Sequence, residues 1–396
     1  MIMKKTDSRC VLIIAGEASG DAHGAHLIAA MKRRDPKLFF CGIGGKNMKN
    51  AGVHIICDAA ELSVVGITEV FAKLPGVIRG MASVKRVIKG LRPDLVILID
   101  FPDFNLHVAA AAKKQGIPVL YYISPQLWAW RSGRIHQIRK NVDHMVVILP
   151  FEEAFYRKHG VPVTFVGHPL MDAYDGFQAS ATDADDLPGP VIGLLPGSRR
   201  GEVGKNLPEM LAAASILQQK YKDATFLVSV APSIRPEWVS VLAAPYQGVC
   251  RIVPVPGDIS AVFEKSRLII AASGTVTLET AIYGIPMIIV YRVSPVSYLL
   301  GRALIRVDHI GLVNIIAGER VVPELVQQDA HPQKIAMAAA DLLDHPEKTA
   351  RIRKKLQQVR KALGGAGAAD KTAGIAMDML GRNYHRQAPT TRIHGQ

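Results

Sequence analysis

Two aspartates follow an apolar run in the first half of the chain, and their placement suggests acid–base chemistry. Residues 95–99 read Leu-Val-Ile-Leu-Ile, which predicts a buried strand; Asp100 follows directly and Asp103 three positions later. A carboxylate at the end of a buried strand is partly desolvated, so its pKa rises and it can take a proton from a hydroxyl group. Asp100 is therefore the candidate general base, and Asp103 is assigned to capping the next helix.

A glycine-rich turn follows the first predicted strand, residues 11–15, and carries the acids Glu17 and Asp21. Backbone amides of such a turn can hold an anion where it opens a helix. The two acids would repel a diphosphate, however, so the pattern favours an acceptor rich in hydroxyl groups. The candidate acceptor contacts are Glu17, Ser19 and Gly20. The alternative is that the glycines only permit a tight turn between strand and helix.

Two of the three tryptophans, Trp128 and Trp130, lie beside Arg131 in a segment that follows another predicted strand. An aromatic face offers a large apolar area for stacking on a sugar ring or contacting an acyl chain. Trp128 is therefore a candidate acceptor contact. The alternative is that both tryptophans belong to the core.

A turn in the second half of the chain has the residue types of a diphosphate site. Gly197, Ser198 and Arg199 follow the predicted strand at residues 191–195. Glycine allows the backbone to approach a ligand closely, serine can donate a hydrogen bond, and a guanidinium grips phosphate oxygens in a fork. The alternative is a turn with surface arginines. The spacing differs from that of the phosphate-binding loop of nucleoside triphosphatases, so hydrolysis of a triphosphate is not indicated.

A second turn of this kind follows residues 268–271. Ser273, Gly274 and Thr275 precede a predicted helix, and Glu279 lies one turn into it. Amide groups at the start of a helix suit a phosphate, and Glu279 can accept hydrogen bonds from both ribose hydroxyls of a nucleotide. The alternative is an ordinary helix cap with a favourable acidic residue in its first turn.

Short apolar runs rich in β-branched residues alternate with helix-length segments along the whole chain. The runs are 11–15, 38–43, 95–99, 119–122, 145–149 and 163–166 in the first half, and 191–195, 225–229, 249–253, 268–271 and 287–291 in the second. This alternation predicts parallel sheets with helices on both faces. A polar, Asp-rich stretch separates the two series. The two series therefore predict two Rossmann-like, doubly wound α/β domains whose strand ends face a central cleft.

The composition sets limits on the function. The protein has 396 residues, 49% hydrophobic and 21% charged, and a net charge of +14. The charge favours an anionic partner: nucleic acid, a phosphorylated small molecule or an acidic membrane surface. Neither the four scattered cysteines nor the histidines have metal-site spacing, and no apolar stretch is long enough to span a membrane. We expect no metal, no cofactor and a soluble or peripheral protein in a reducing cytosol.

Two segments place basic residues among apolar ones. In residues 70–91 the apolar residues recur at helical spacing, which favours contact with a membrane surface, although Pro75 and Gly76 are expected to split the helix. Residues 289–306 repeat the combination with Tyr298 and three arginines. The alternative for each is a helix that packs on the core and exposes its Lys and Arg residues.

Taken together and in order, the motifs resemble those of the lipid-A-disaccharide synthase family. They are Gly16-Glu17-Ala18-Ser19-Gly20-Asp21, Asp100-Phe101-Pro102-Asp103-Phe104-Asn105, Ser124-Pro125 with Trp128-Ala129-Trp130-Arg131, Leu195-Pro196-Gly197-Ser198-Arg199, Ser273-Gly274-Thr275 with Glu279, and Asn314-Ile315-Ile316-Ala317-Gly318. The resemblance implies an inverting glycosyltransferase of GT-B fold. Such an enzyme joins UDP-2,3-diacylglucosamine to 2,3-diacylglucosamine 1-phosphate, giving a β-1,6-linked disaccharide 1-phosphate and UDP.

The resemblance also implies roles for particular residues. Asp100 looks like the general base, Arg199 like the arginine that contacts the diphosphate, and Glu279 and Asn314 like contacts to the nucleotide sugar. Asn105, in the same motif as Asp100, is a candidate acceptor contact.

The predicted domain limits follow from the strand pattern and the resemblance. Residues 1–170 form an acceptor-binding, membrane-facing domain and residues 171–344 a UDP-sugar-binding domain. Residues 345–382 form helices that pack back on the first domain, as is common in similar enzymes, and residues 383–396 form a disordered tail.

The resemblance places the protein in the cytoplasm, peripheral on the inner face of the cytoplasmic membrane, with a homodimer left open. One alternative is another UDP-sugar enzyme of the same fold, such as a UDP-N-acetylglucosamine epimerase or transferase. Binding of nucleic acid is not expected, because no recognisable binding module or basic stripe with stacking aromatics is present. The Asp183-Ala184-Asp185 sequence lies in the polar linker, away from any predicted strand end, so it does not suggest a metal site.

Overall fold

The computed structural model describes residues 8–62, 69–130, 132–177, 189–293, 298 and 308–387. The chain divides into two compact units. The first comprises Met1–Asp175 and Leu363–Gln396, and the second comprises Gly176–Ala362. The boundary predicted from the sequence lies five residues earlier, at residue 170.

The first unit is built on a parallel sheet. Its described strands are Cys10–Ala15, Phe39–Gly44, His54–Asp58, Leu95–Ile99, Val119–Tyr122, His144–Val147 and Val163–Phe165, called β1 to β7. They lie in the order β3-β2-β1-β4-β5-β6-β7, and every pair is parallel. The central strands β1 and β4 are buried along their whole length, which explains their nearly continuous apolar sequences.

Helices cover both faces of this sheet. They are Ala18–Arg34, Lys46–Asn50, Glu69–Leu91, Pro102–Lys114, Ile135–Asn141, Pro150–Lys158 and Leu170–Ala173, called α1 to α7. One core contains residues of α3 to α6, such as Val84 and Tyr156, and the other contains residues of α1 and α2, such as Leu27 and Met48. Strands β1, β4, β5 and β6 contribute alternate side chains to the two cores.

Helix α3 is continuous from Glu69 to Leu91, so the expected break at Pro75 and Gly76 is wrong. Proline is tolerated here without ending the helix, although it removes one backbone donor. Glycine at the next position has a packing reason, because a Cβ atom on Gly76 would come within 2.7 Å of the Glu61 carbonyl oxygen.

The second unit repeats the architecture. Its described strands, β8 to β13, are Val191–Leu195, Thr225–Val230, Arg251–Pro256, Leu268–Ala272, Met287–Tyr291 and Glu324–Val326, and its helices, α8 to α14, are Arg200–Lys220, Pro236–Ala243, Ser260–Lys265, Val276–Ile282, Leu312–Ala317, Pro332–Asp344 and Pro346–Ala362. The strands are parallel in the order β10-β9-β8-β11-β12-β13. The prediction of two Rossmann-like α/β domains is confirmed.

The C-terminal helices differ from the expectation. Helix α14 lies in the second unit, whereas the last helix, Ala368–Gln387 or α15, lies in the first and extends beyond residue 382. Helix α15 packs on α1 and buries Ala373, Ala376 and Leu380. Only the second of the two predicted helices therefore packs back on the first unit.

Some expectations concern residues outside the described ranges. They are Arg131, the Asp183 and Asp185 pair, the apolar residues at 299–305 and the tail at 388–396. Within the described part of the chain, no helix combines the length and apolarity needed to cross a membrane.

Candidate functional site

The backbone immediately after β4 has an unusual conformation. Asp100 and Phe101 have φ angles of 46° and 49°, in the left-handed region that residues other than glycine rarely adopt. Such a conformation costs about 1–3 kcal/mol per residue and persists only where the surroundings enforce it. Pro102 then begins α4 at a position where its missing N–H group costs nothing.

Two buried side chains hold this backbone through one carbonyl group. The Asp100 carbonyl oxygen accepts hydrogen bonds from Tyr121 Oη at 2.6 Å and from Asn105 Nδ2 at 2.7 Å. Asn105 Nδ2 also donates to the Ile99 carbonyl oxygen at 3.2 Å. Both Tyr121 and Asn105 are completely buried. The assignment of Asn105 as an acceptor contact is therefore wrong, because its side chain supports the backbone and does not reach the surface.

The Asp100 carboxyl group has the electrostatics of a general base. Burial raises its pKa to about 6, and the nearby charge of Glu17 acts in the same direction. A hydrogen bond from the Phe101 backbone opposes both effects. The direction of this pKa shift agrees with the sequence argument. At neutral pH the group is ionised and still basic enough to accept a proton from a hydroxyl group.

The glycine-rich turn contains residues of different kinds. A Cβ atom on Gly16 would lie 2.3 Å from the Phe101 ring, so glycine is required there for close packing. Gly20 is buried, whereas Glu17 and Ser19 are exposed. The close-packing alternative thus explains Gly16, while the exposed Glu17 and Ser19 remain available to a ligand.

Asp21, in the same turn, has a structural role. It is 4% exposed and accepts hydrogen bonds from the backbone N–H groups of Gly45, Asn47 and Met48 at 2.6–3.1 Å. These groups lie at the start of α2, so Asp21 satisfies donors that the helix itself leaves unpaired.

A groove of about 1140 Å³ lies between α3 and α4, next to the Asp100 turn. Glu17 and Phe101 line it, together with apolar residues of α3 such as Ile78 and Met81. Ile78, on the groove-facing side of α3, is 61% exposed. The lining is thus mainly apolar, with Lys85 among the charged residues on it.

The tryptophan segment is anchored by a buried acid that the sequence analysis missed. Glu152, 1% exposed, accepts hydrogen bonds from Trp128 Nε1 at 3.1 Å, Ser124 Oγ at 2.8 Å and the Leu149 N–H group at 3.1 Å. Burial raises the pKa of Glu152 to about 7, although these donors act in the opposite direction. The position of Glu152 in the first turn of α6, directly after β6, is the sequence signal that could have identified it.

Trp128 itself is half-buried. Its ring packs edge-on against Phe151 with a centroid distance of 4.8 Å. The core alternative therefore explains its indole nitrogen and one ring edge, while the remaining exposed surface leaves room for a ligand contact.

The two phosphate-type turns of the second unit meet at one cavity of about 400 Å³. Among its lining residues are those named from the sequence: Gly197, Ser198, Arg199, Ser273, Gly274, Thr275 and Glu279. The turns come together because β8 and β11 are adjacent parallel strands, whose carboxyl ends lie at the same edge of the sheet. Gly197 has a φ of 116°, and a Cβ atom there would come within 2.8 Å of Glu202 Oε2. The positive φ is the reason for glycine at this position, because the end of the flexible Glu202 side chain could move aside.

The charged groups at this cavity differ in exposure. The Arg199 side chain is 67% exposed and lies 3.5 Å from Glu202, an ion pair too open to water to hold the arginine firmly. Glu279 is half-buried, and burial raises its pKa above the usual range. The arrangement offers an exposed cation and a half-buried acceptor to an anionic, hydroxylated ligand.

Asn314 does not belong to this cavity. It is completely buried, its Oδ1 accepts from the N–H groups of Val321 and Val322, and its Nδ2 donates to the Val322 carbonyl and to Glu324. All its hydrogen-bonding groups are used within the protein. Its assignment as a nucleotide-sugar contact is wrong in this structure.

The two Rossmann-like sheets define the class of the fold, the two-domain GT-B type. The comparisons with known proteins then give the family. A family model described as lipid-A-disaccharide synthetase matches residues 11–378, and the chain belongs to this family. A lipid-A-disaccharide synthase is a glycosyltransferase, and the chain is an enzyme of that kind.

Curated relatives support this membership over nearly the whole chain. The lipid-A-disaccharide synthase of Syntrophus aciditrophicus is 48% identical over 383 residues, covering 94% of this chain and 98% of its own length. The synthase of Geobacter metallireducens is 46% identical over 385 residues, covering 96% of this chain and 100% of its own length.

Solved structures share the fold at much lower identity. MurG of Acinetobacter baumannii has a TM-score of 0.58 and 15% identity, covering 94% of this chain and 99% of its own. A UGT transferase of Siraitia grosvenorii in complex with UDP has a TM-score of 0.59 and 13% identity, covering 94% and 100% of the two chains. A UDP-N-acetylglucosamine 2-epimerase of Listeria monocytogenes has a TM-score of 0.60 and 16% identity, covering 95% and 97%.

Proposed function

We propose that this protein condenses UDP-2,3-diacylglucosamine with 2,3-diacylglucosamine 1-phosphate and releases UDP and a β-1,6-linked disaccharide 1-phosphate. Family membership over residues 11–378 supports the reaction. The observation that carries the chemistry is Asp100, a carboxyl group with a raised pKa on a backbone fixed by buried side chains.

In the proposed reaction, the Asp100 carboxylate removes the proton of the acceptor's 6-hydroxyl group. The acceptor oxygen forms a bond to the anomeric carbon of the donor sugar, and the bond between that carbon and the diphosphate oxygen breaks. The configuration inverts through an oxocarbenium-like transition state, as in inverting glycoside hydrolysis. UDP leaves as an anion, and the proton stays on Asp100 until water removes it.

The cavity of the second unit is proposed to hold UDP. Arg199 contacts the diphosphate, together with Ser198 and the amide groups that follow Ser273, and these donors neutralise the charge that develops on the leaving group. Glu279 accepts hydrogen bonds from the ribose hydroxyls, which suits its half-buried position beside the cavity. Gly197 leaves the space that a close backbone approach requires.

The exposed residues beside Asp100 are proposed to bind the acceptor. Glu17 and Ser19 can accept or donate hydrogen bonds to sugar hydroxyls, and the exposed part of Trp128 can pack on the sugar or an acyl chain. The groove between α3 and α4 continues from Glu17 along apolar side chains. Its lining suits an acyl chain, because the long stem of Lys85 can cover hydrocarbon while its charge stays in water.

Helix α3 is proposed to bring the enzyme to an anionic membrane surface, the inner face of the cytoplasmic membrane. Arg79, Lys85 and Arg86 are exposed on it beside the exposed Ile78. Each basic residue near an anionic bilayer contributes about 1 kcal/mol to binding. Both substrates carry acyl chains, so a surface of this kind gives the enzyme access to them.

A direct test is to incubate the purified chain with both diacylated substrates and to measure UDP and disaccharide. Formation of both, each dependent on the acceptor, supports the proposal. The rival reading is an epimerase of the same fold. Interconversion of UDP-N-acetylglucosamine without an acceptor, and no disaccharide from the diacylated pair, would establish that reading instead.

A further inference from the structure

The reach of the Asp100 carboxyl group depends on a main-chain conformation that the residue does not favour by itself. Its φ of 46° is followed by another left-handed residue, Phe101. The Asp100 N–H group donates to the Tyr122 carbonyl oxygen at 3.2 Å, and its own carbonyl group is the acceptor for two side chains. The chain beyond β4 is therefore directed by contacts from α4 and from the neighbouring strand β5.

We propose that Tyr121 is a positioning residue for the general base, and that its hydroxyl group sets the orientation of Asp100 by donating to the Asp100 carbonyl oxygen. The inference rests on the proposed function of Asp100. It assigns a role in the reaction to a residue that does not touch the substrate.

The location of Tyr121 supports this role. It lies near the end of β5, which pairs in parallel with β4 so that Leu98 is opposite Tyr121. The residue is completely buried, and a buried phenol requires a partner for its hydroxyl group. The partner at 2.6 Å is the carbonyl of the one residue whose carboxyl group must be held for proton transfer.

Burial keeps the phenol of Tyr121 in its donor form. Burial, the charge of Asp100 and Tyr156 raise the pKa of Tyr121 well above its usual range, while a hydrogen bond with Asn105 and the charge of Arg134 act in the opposite direction. Arg134 also pairs with Asp103, and Glu17 is the other acid that faces Asp100. The Tyr121 hydroxyl therefore remains protonated through the pH range in which Asp100 titrates.

The chain supplies a matched control one residue away. Tyr122 is equally buried but points to the opposite face of the sheet, where its hydroxyl group lies near Thr372 of α15. Tyr122→Phe thus removes a buried hydroxyl from the same strand without touching the Asp100 carbonyl. Tyr121→Phe removes the hydroxyl group that donates to the Asp100 carbonyl oxygen.

We expect Tyr121→Phe to lower kcat about tenfold with the acceptor KM changed less than about twofold, because displacement of a catalytic group costs rate more than binding. The low-pH limb of the rate profile should move to lower pH, since a less constrained carboxyl group gains water and its pKa falls. Tyr122→Phe should leave kcat and the limb unchanged. Melting temperatures of both variants are measured alongside.

A Tyr121→Phe enzyme with kcat within twofold of the parent would overturn the proposal. An equal loss of kcat in Tyr122→Phe would also overturn it. So would a lower kcat in Tyr121→Phe with the low-pH limb of the rate profile unmoved, because either result indicates a general effect on packing. A separate arm follows the Asp100 carboxyl by ¹³C NMR without substrates. If the parent enzyme shows no turnover, the proposed function fails, and the NMR titration still decides: an Asp100 pKa unchanged by Tyr121→Phe overturns the positioning role.

Discussion

The two candidate sites differ in how strongly the surrounding protein constrains their charged side chains. In the first unit, Asp100 is held by completely buried side chains on a backbone in an unfavourable conformation. In the second unit, Arg199 is 67% exposed and only weakly paired, beside glycine and small polar residues. A base must be fixed and partly desolvated before the substrate arrives, whereas a group that grips a flexible diphosphate can order itself upon binding. Burial distinguishes Asp100 from Arg199, in keeping with the roles proposed for them.

The strongest test of the fixed site removes its carboxylate. Asp100→Asn keeps the shape of the side chain but cannot accept the proton, so kcat should fall by about 10²–10⁴. UDP release and disaccharide formation are measured at substrate saturation. Near-normal turnover in this variant would end the assignment of Asp100 as the base, and with it the contrast between the sites.

The strongest test of the exposed site replaces its cation. Arg199→Ala should lower kcat/KM for the donor by about 10²–10³, because the leaving diphosphate loses its main charged donor. Arg199→Lys is the control: it keeps the charge but loses the planar fork, so it should recover only part of the rate. Donor kinetics identical to the parent in Arg199→Ala would show that the diphosphate binds elsewhere.

The pH dependence should belong to the fixed site. Asp100 must be ionised to act as a base, so the rate should decline below a pH of about 6, where its carboxyl becomes protonated. Glu17→Gln removes a neighbouring negative charge and should move this limb to lower pH. An unchanged limb in Glu17→Gln would show that burial alone sets the pKa of Asp100.

Membrane binding should depend on charge and not on either site. Reversing the charge at Arg79, Lys85 and Arg86 should weaken binding to anionic liposomes, and added salt should weaken binding of the parent protein. The control is Asp100→Asn, which should bind as the parent does. Liposome binding that is indifferent to both treatments would remove α3 from the membrane surface.

The smallest expected effect concerns the anchor of the tryptophan segment. Trp128→Phe removes one of the donors to Glu152, so the free energy of unfolding should fall by about 1.5–3 kcal/mol, the range for a hydrogen bond to a charged group. Chemical denaturation measures this change. A raised acceptor KM in the same variant would show that Trp128 also binds the acceptor. An unchanged KM would show that Trp128 has a structural role only.

Much of the fold could be predicted from the sequence because its central strands are buried on both faces and read as continuous apolar runs. Two edge strands, His54–Asp58 and Glu324–Val326, were missed since they are only partly buried and their sequences are mixed. The turn glycines and Arg199 stand out in the sequence by composition, and the structure places Gly197, Arg199 and Gly274 around one cavity.

The polar residues of the interior could not be assigned from sequence in the same way. Asn105 and Asn314 stand within motifs of the family, yet each satisfies buried backbone groups that only the folded chain brings near. Tyr121 reads as an ordinary apolar strand residue, and Glu152 as a first-turn helix acid. The roles of these four residues depend on hydrogen-bond partners 3 to 28 positions distant in the sequence.

The polypeptide leaves the first unit after Asp175 and returns to it at Leu363, where α15 goes on to cover part of the first unit's core. On a translating ribosome, the whole second unit therefore emerges before the helix that seals the first. While the second unit is being synthesised, the surface of α1 in the nascent first unit stays uncovered. Chaperones that shield apolar surface during translation should consequently matter more for the amino-terminal half of this protein than for the half that follows it.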